Sequence, residues 1–132
     1  MAKINSRNNR VYHVPLTKAL LIEYFGEDPK MTVKGYAFYL DGRLAGIAGI
    51  RYCGSEIYAF SDMKKDVNVS KATIWRCTLL VMSMIDDMKV PVVAVADHYR
   101  KTAPTFLTRL GFDFVGSFAE DGTLDKYSRM RR

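Results

Sequence analysis

Apolar and polar positions along the 132-residue chain fall into short blocks of two periods, separated by turn-forming residues. Val11-Tyr12-His13-Val14, closed by Pro15, reads as a strand. Thr17 then opens a helix with Leu20, Leu21, Tyr24 and Phe25 on its apolar face and Gly26 at its end. Beyond an Asp28-Pro29 turn, residues 35–40 and 44–53 flank Asp41-Gly42. Two strand-like runs around Asp-Gly predict a hairpin, because the tight turn needs positive φ at both central residues. Gly46 and Gly49 inside the second run predict a bulge or a close approach of another backbone. Gly54 breaks the pattern again, and residues 56–60 form a third strand of the series.

Residues 70–88 carry the longest helical pattern, with Ala72, Trp75, Leu79, Met82 and Ile85 as an apolar stripe. Ser70 or Asn68 caps its start. Pro91 ends any helix and begins a buried-looking strand, 92–96, which runs into the polar group Asp97-His98-Tyr99-Arg100. A short helix over 102–110 turns Phe106, Leu107 and Leu110 inward and stops at Gly111. Residues 112–118 and 124–128 flank Asp121-Gly122, which predicts a second hairpin. The order is strand, helix, three strands, helix, strand, helix, two strands. That is an α+β layout with one mostly antiparallel sheet. No repeat or linker divides it, so residues 1–132 read as a single domain with short basic tails at 1–10 and 129–132.

Composition narrows this picture little. The chain is 48% hydrophobic and 12% aromatic, as a packed globular domain is. Its 20 Lys and Arg against 14 Asp and Glu leave a net charge of +6. A basic surface suits an anionic ligand, an acidic protein or nucleic acid, and equally a solvated exterior. Nucleic acid ranks last, since no aromatic pattern interleaves the charge. Cys53 and Cys77 are isolated and read as small core fillers in a reducing cytoplasm. With His13 and His98 they offer no metal-ligand spacing. No run approaches the ~20 apolar residues of a membrane span, and the N-terminus lacks the apolar core of a signal peptide. A G-x-S-x-G elbow and a G-x-x-x-x-G-K-[ST] loop are both absent.

The element order, with Leu110-Gly111-Phe112 after the short helix, resembles the GCN5-related N-acetyltransferase (GNAT) family over most of the chain. The resemblance implies a central twisted sheet of about six or seven strands flanked by helices. It also implies acetyl-CoA as co-substrate and direct transfer of the acetyl group to an amine on a small molecule or protein. The family's late segment, N-x-x-A-x-x-x-Y-x-x-x-G-F, aligns Arg100 with its Asn, Ala103 with its Ala and Leu107 with its Tyr. That Tyr protonates the leaving thiolate in many members, and leucine cannot. The phosphate loop [RQ]-x-x-G-x-[GA] aligns near residues 66–71, with Val69 and Lys71 at its glycine positions. Side chains there crowd the phosphates, although Lys64, Lys65, Lys71 and Ser70 supply charge and a hydroxyl. Ser70-Lys71-Ala72 ahead of an amphipathic helix also resembles GNAT-like proteins of tailed phages, which implies a catalytically inactive binding or virion-associated protein as the alternative.

Under the resemblance, Tyr58, Ala59 and Phe60 carry the pantetheine arm by main-chain pairing. Val69, Ser70, Lys71, Lys64, Lys65 and Arg100 surround the phosphates. Glu56, Asp62 and His98 are the candidate bases. Each also reads as an ordinary surface residue, the carboxylates as strand ends and the histidine as bonded to a neighbour. The enzyme reading places the protein in the cytoplasm; the phage reading adds the virion, and a homo-oligomer or virion partner stays open.

Overall fold

A computed structural model describes residues 10–97, 103–118 and 124–129 of the chain. The elements follow the expected order: β1 (Val11–Pro15), α1 (Lys18–Phe25), β2 (Thr32–Leu40), β3 (Arg43–Cys53), β4 (Glu56–Met63), α2 (Lys71–Asp86), β5 (Val92–Asp97), α3 (Ala103–Arg109), β6 (Asp113–Phe118) and β7 (Leu124–Arg129). The seven strands form one sheet in the order β1-β2-β3-β4-β5-β7-β6, antiparallel except between β4 and β5. The fold is α+β.

Local chemistry explains the boundaries. Asp41 and Gly42 both adopt positive φ, 51° and 82°, as the β2–β3 turn demands. The glycines of β3 do both things expected of them. Phe38 pairs with Gly46 and Tyr39 with Leu44, so Ala45 bulges out beside Gly46. Gly49 faces Gly35 so closely that a Cβ on Gly49 would lie 2.2 Å from the Lys34 carbonyl oxygen. Helix α1 begins where Thr17 Oγ1 accepts from the Leu20 N–H, and ends with Gly26 at φ 79°. The Asp121-Gly122 turn lies outside the described residues, but β6 and β7 pair antiparallel as a hairpin requires.

The sheet has a core on each face. Helix α1 covers one with Leu21 and Tyr24 against Ala37 and Ile47. Helix α2 covers the other with Val81, Met82, Met84 and Ile85 against Phe38, Ile50, Val92, Ala94, Phe112 and Tyr127. The buried stripe of α2 is rotated from the expected one. Thr73 is buried, whereas Ala72 is exposed and Leu79 is 48% exposed. Thr73 qualifies because its hydroxyl accepts from Ser70 Oγ at 2.9 Å, so a polar residue meets the core with its oxygen satisfied. Three other apolar expectations fail: Cys53, Phe25 and Phe106 are exposed, not core. Cys53 is the last residue of β3, where the sheet face has run out of covering helix. Arg129 ties β7 to both helix ends, donating from Nε to the Leu110 carbonyl and from Nη1 to Asp86 at 2.5 Å.

Candidate active site

Strands β4 and β5 share only two residue pairs, Ile57 with Val92 and Tyr58 with Val93. Both continue beyond that contact, β4 along β3 as far as Met63 and β5 along β7 as far as Asp97. A wedge-shaped gap therefore opens inside the sheet toward the C-terminal ends of the two strands. Main-chain alternation decides what lines it. The Lys64 N–H bonds the Ala45 carbonyl on β3 at 2.8 Å, so the even residues of β4 turn their peptide groups to β3. The odd residues turn theirs to the β5 side. Ala59, Ser61 and Met63 thus face the gap, whereas Tyr58 and Phe60 spend their peptide groups on β3. Of Tyr58, Ala59 and Phe60, expected from sequence to pair with a ligand, only Ala59 turns its peptide groups to the gap side.

The loop after β4 leads into the start of α2, as strand–loop–helix anion sites require. Ser70 caps the helix by accepting from the Thr73 N–H at 3.2 Å. The Lys71 and Ala72 N–H groups precede the first intrahelical bond, which runs from Ile74 N–H to the Ser70 carbonyl. Lys65 and Lys71 are exposed, Val69 is half-buried, and Arg43 holds Asp66 by an ion pair. The Arg43 guanidinium keeps the Asp66 carboxyl below the usual carboxylate range. The Lys71 side chain is exposed to solvent. The donors that remain are those a diphosphate accepts: the first amides of the helix and two ammonium groups, since the Ser70 hydroxyl already donates to Thr73.

Lys64 plays another part. Its Nζ donates to the Tyr24 carbonyl at the end of α1 and stands 4.3 Å from the centre of the Tyr24 ring. A cation at a helix C-terminus is favoured by the helix dipole, and the ring face adds to it. Lys64 therefore fastens α1 to the loop after β4. Asp62, two residues earlier, is exposed near the open end of the gap. It also borders the Tyr24 hydroxyl. Burial first, and then the Asp62 carboxylate, push that phenol above its ordinary pKa.

Glu56 stands at the other end of β4, on the far side of the Ile57 and Tyr58 pairings from the gap. Its carboxylate accepts from Lys126 Nζ at 2.8 Å and from the Tyr58 hydroxyl at 3.3 Å. The Lys126 ammonium holds the Glu56 carboxyl below its usual pKa, and Glu56 in turn raises that of Lys126. Arg51 lies over the Tyr58 ring, 5.8 Å from its centre. The structure brings Asp62 and Lys64 together at Tyr24 and leaves Glu56 apart, paired with Lys126. His98 and Arg100 lie outside the described residues. Leu107, at the family's tyrosine position, packs half-buried against the α2-side core. Tyr24 escaped the sequence reading of the site. It counted as an apolar helix residue, and its nearness to Asp62 arises only when α1 folds onto β4.

Among the described residues no group of three His, Cys, Asp or Glu is placed to hold a metal ion. No described helix is long and apolar enough to cross a membrane.

No protein-family model matches the chain, and no curated protein matches it in sequence. Solved structures do match in shape. The ribosomal-protein-S18-alanine N-acetyltransferase of Escherichia coli superposes with a TM-score of 0.62 at 12% identity, over 90% of this chain and 91% of that one. A protein from Bordetella pertussis assigned to the GnaT-family acetyltransferases gives 0.60 at 14% identity, over 85% and 70%. A ribosomal L7/L12 alpha-N-protein acetyltransferase in complex with coenzyme A gives 0.58 at 14%, over 86% and 67%. The chain has the fold of these acetyltransferases.

Proposed function

We propose that the protein transfers an acetyl group from acetyl-CoA to an amine by direct attack. The observation that carries this reading is the two-residue contact between β4 and β5 followed by their divergence. Such a gap presents unpaired peptide groups to a ligand whose arm is itself a chain of amides, which adds as a strand. The start of α2, with Ser70, Lys65 and Lys71, stands where the diphosphate end would need donors. Structural similarity to acetyltransferases, one of them solved with coenzyme A, supports the same ligand. Asp62, near the end of β4, takes the role of base; the acceptor is an amine of a protein or small molecule. Because two of the matched enzymes act on ribosomal proteins, protein amines belong in the first acceptor panel. The reading places the protein in the cytoplasm, where acetyl-CoA is made and used.

Thermal melting with acetyl-CoA tests the reading. Ligand at 100 times its dissociation constant adds about 2.7 kcal/mol of stability. An unchanged melting temperature at millimolar acetyl-CoA refutes it.

Leu107 favours a second reading. It fills the core where the family places a proton-donating tyrosine, and Val69 and Lys71 occupy the glycine positions of the phosphate loop. A GNAT fold without catalysis, acting as a binding or virion-associated component, accounts for all three. It predicts no acetyl-CoA shift and stable co-elution with another protein.

A further inference from the structure

Arg51 is a cation without a counter-ion among the described residues. It stands half-buried on β3, and none of the ion pairs between described residues includes it. Its guanidinium donates from Nη1 to the Met31 sulfur at 3.7 Å and lies 5.8 Å from the centre of the Tyr58 ring. A thioether is a weak acceptor, so most of the guanidinium's N–H donors are left for a ligand or for water. A guanidinium positioned in this way matches a carboxylate through two parallel bonds.

Its surroundings decide where that carboxylate belongs. Arg51 pairs with Tyr58 and Ile47 with Asp62, so by strand alternation all four share the sheet face that α1 packs on. The α1-side core reaches Phe60 and stops short of Tyr58 and Arg51. Glu56 does not neutralise the guanidinium, because its carboxylate is committed to Lys126 at 2.8 Å and to the Tyr58 hydroxyl at 3.3 Å. Tyr58 is also one of the two β4 residues paired with β5, at the closed end of the gap. A ligand lying along β4 with its diphosphate at α2 presents its thioester toward that end. The face thus carries Arg51 beside the closed end and, further along β4, the exposed Asp62 carboxylate. Opposite charges in this order complement a molecule that bears both an amine and a carboxylate.

Building on the acetyl-transfer reading, we propose that Arg51 selects the acceptor, an amine that carries a carboxylate several bonds from the reacting nitrogen. An acidic residue next to a peptide N-terminus has this form, and so does a small ω-amino acid. The guanidinium grips the carboxylate by paired N–H bonds. The nitrogen attacks the thioester carbonyl carbon; a C–N bond forms and the C–S bond breaks. The proton lost from nitrogen passes to Asp62, and coenzyme A leaves as thiolate, to be protonated by solvent. Arg51 touches the acceptor away from the reacting atoms and sets specificity.

The test uses wild type, Arg51→Gln and Arg51→Lys as purified full chains. Two pairs of amines differ only in charge: the peptide amides Ala-Glu-Ala and Ala-Gln-Ala, and γ-aminobutyrate and γ-aminobutyramide. Release of coenzyme A thiol gives kcat/KM for each amine. Calorimetric titration gives the binding of each amine alone, and melting gives the acetyl-CoA shift. Wild type should favour the acid of one pair by about tenfold or more, as hydrogen bonds to a charged group require. The pair that responds distinguishes a peptide acceptor from a small one. Arg51→Gln should bring the ratio near one and Arg51→Lys should restore part of it, with the acetyl-CoA shift of wild type in both. Acid-to-amide ratios within about twofold of one for both pairs in wild type overturn the proposal. So does a ratio that Arg51→Gln leaves unchanged, a variant that loses the acetyl-CoA shift, or acetyl-CoA binding without transfer to any of the four amines. Absence of an acetyl-CoA shift in wild type overturns the acetyl-transfer reading instead. The calorimetric preference for the acid, and its loss in Arg51→Gln, then decides the carboxylate site alone.

Discussion

Gly49→Ala is expected to break the sheet where it is tightest. The new Cβ would lie 2.2 Å from the Lys34 carbonyl oxygen and 2.6 Å from the Gly35 Cα, against 3.4 Å or more for ordinary contact. Both obstacles are backbone atoms of β2, so no side chain can swing aside. The strands must part by roughly 1 Å, which weakens the main-chain bonds of the flanking pairs, Lys34 with Ile50 and Tyr36 with Ala48, at about 1 kcal/mol each and adds overpacking strain of 1–3 kcal/mol. About 3 kcal/mol of lost stability follows, equivalent to a fall in melting temperature on the order of 10 °C for a chain of this size. Equilibrium urea unfolding measures it directly. Gly116→Ala is the matched control: a Cβ there meets nothing within 4 Å, and its cost should stay below about 0.5 kcal/mol. A loss under 1 kcal/mol for Gly49→Ala, or equal losses at both sites, refutes the packing argument.

Ser70→Ala removes the cap of α2 and should cost about 1 kcal/mol; it should also weaken acetyl-CoA binding in the same melting assay, since the cap fixes the helix entrance. Acidification should destabilise the fold in a defined window. The folded-state pKa values of Glu56 and Asp66 are depressed, so the stability they contribute is complete above their unfolded values and is lost as pH falls through the folded ones. The double variant Glu56→Gln, Asp66→Asn should therefore show a flatter decline of melting temperature below about pH 4.5, and a decline as steep as that of wild type refutes the linkage.

The element order was legible because Pro15, Gly26, Asp41-Gly42, Gly54, Pro91 and Gly111 punctuate the chain at nearly every boundary. Turn chemistry is local, and neighbouring residues determine it. The face of α2 was read one step off because period counting treats Thr73 as polar; only the Ser70 contact makes it a core residue. Site residues divided along the same line. Ser70, read as a cap, depends on residues three apart. Pairing of β4 with β5 and the approach of Tyr24 to Asp62 join positions more than 30 residues apart in the chain, and no periodicity encodes them. Tyr58 and Phe60 were read as gap-facing because only the register of β3 against β4 shows which residues of β4 turn their peptide groups outward.

The brief meeting of β4 and β5 has a mechanical consequence. Main-chain continuity across the sheet passes through two residues, so β1–β4 and β5–β7 behave as leaves sharing a narrow spine, with α2 laid across as binding. A molecule threaded between the leaves would complete the ladder that the chain leaves open. Hydrogen exchange at Ser61 and Met63 would then slow together, registering an occupant even where no chemistry occurs.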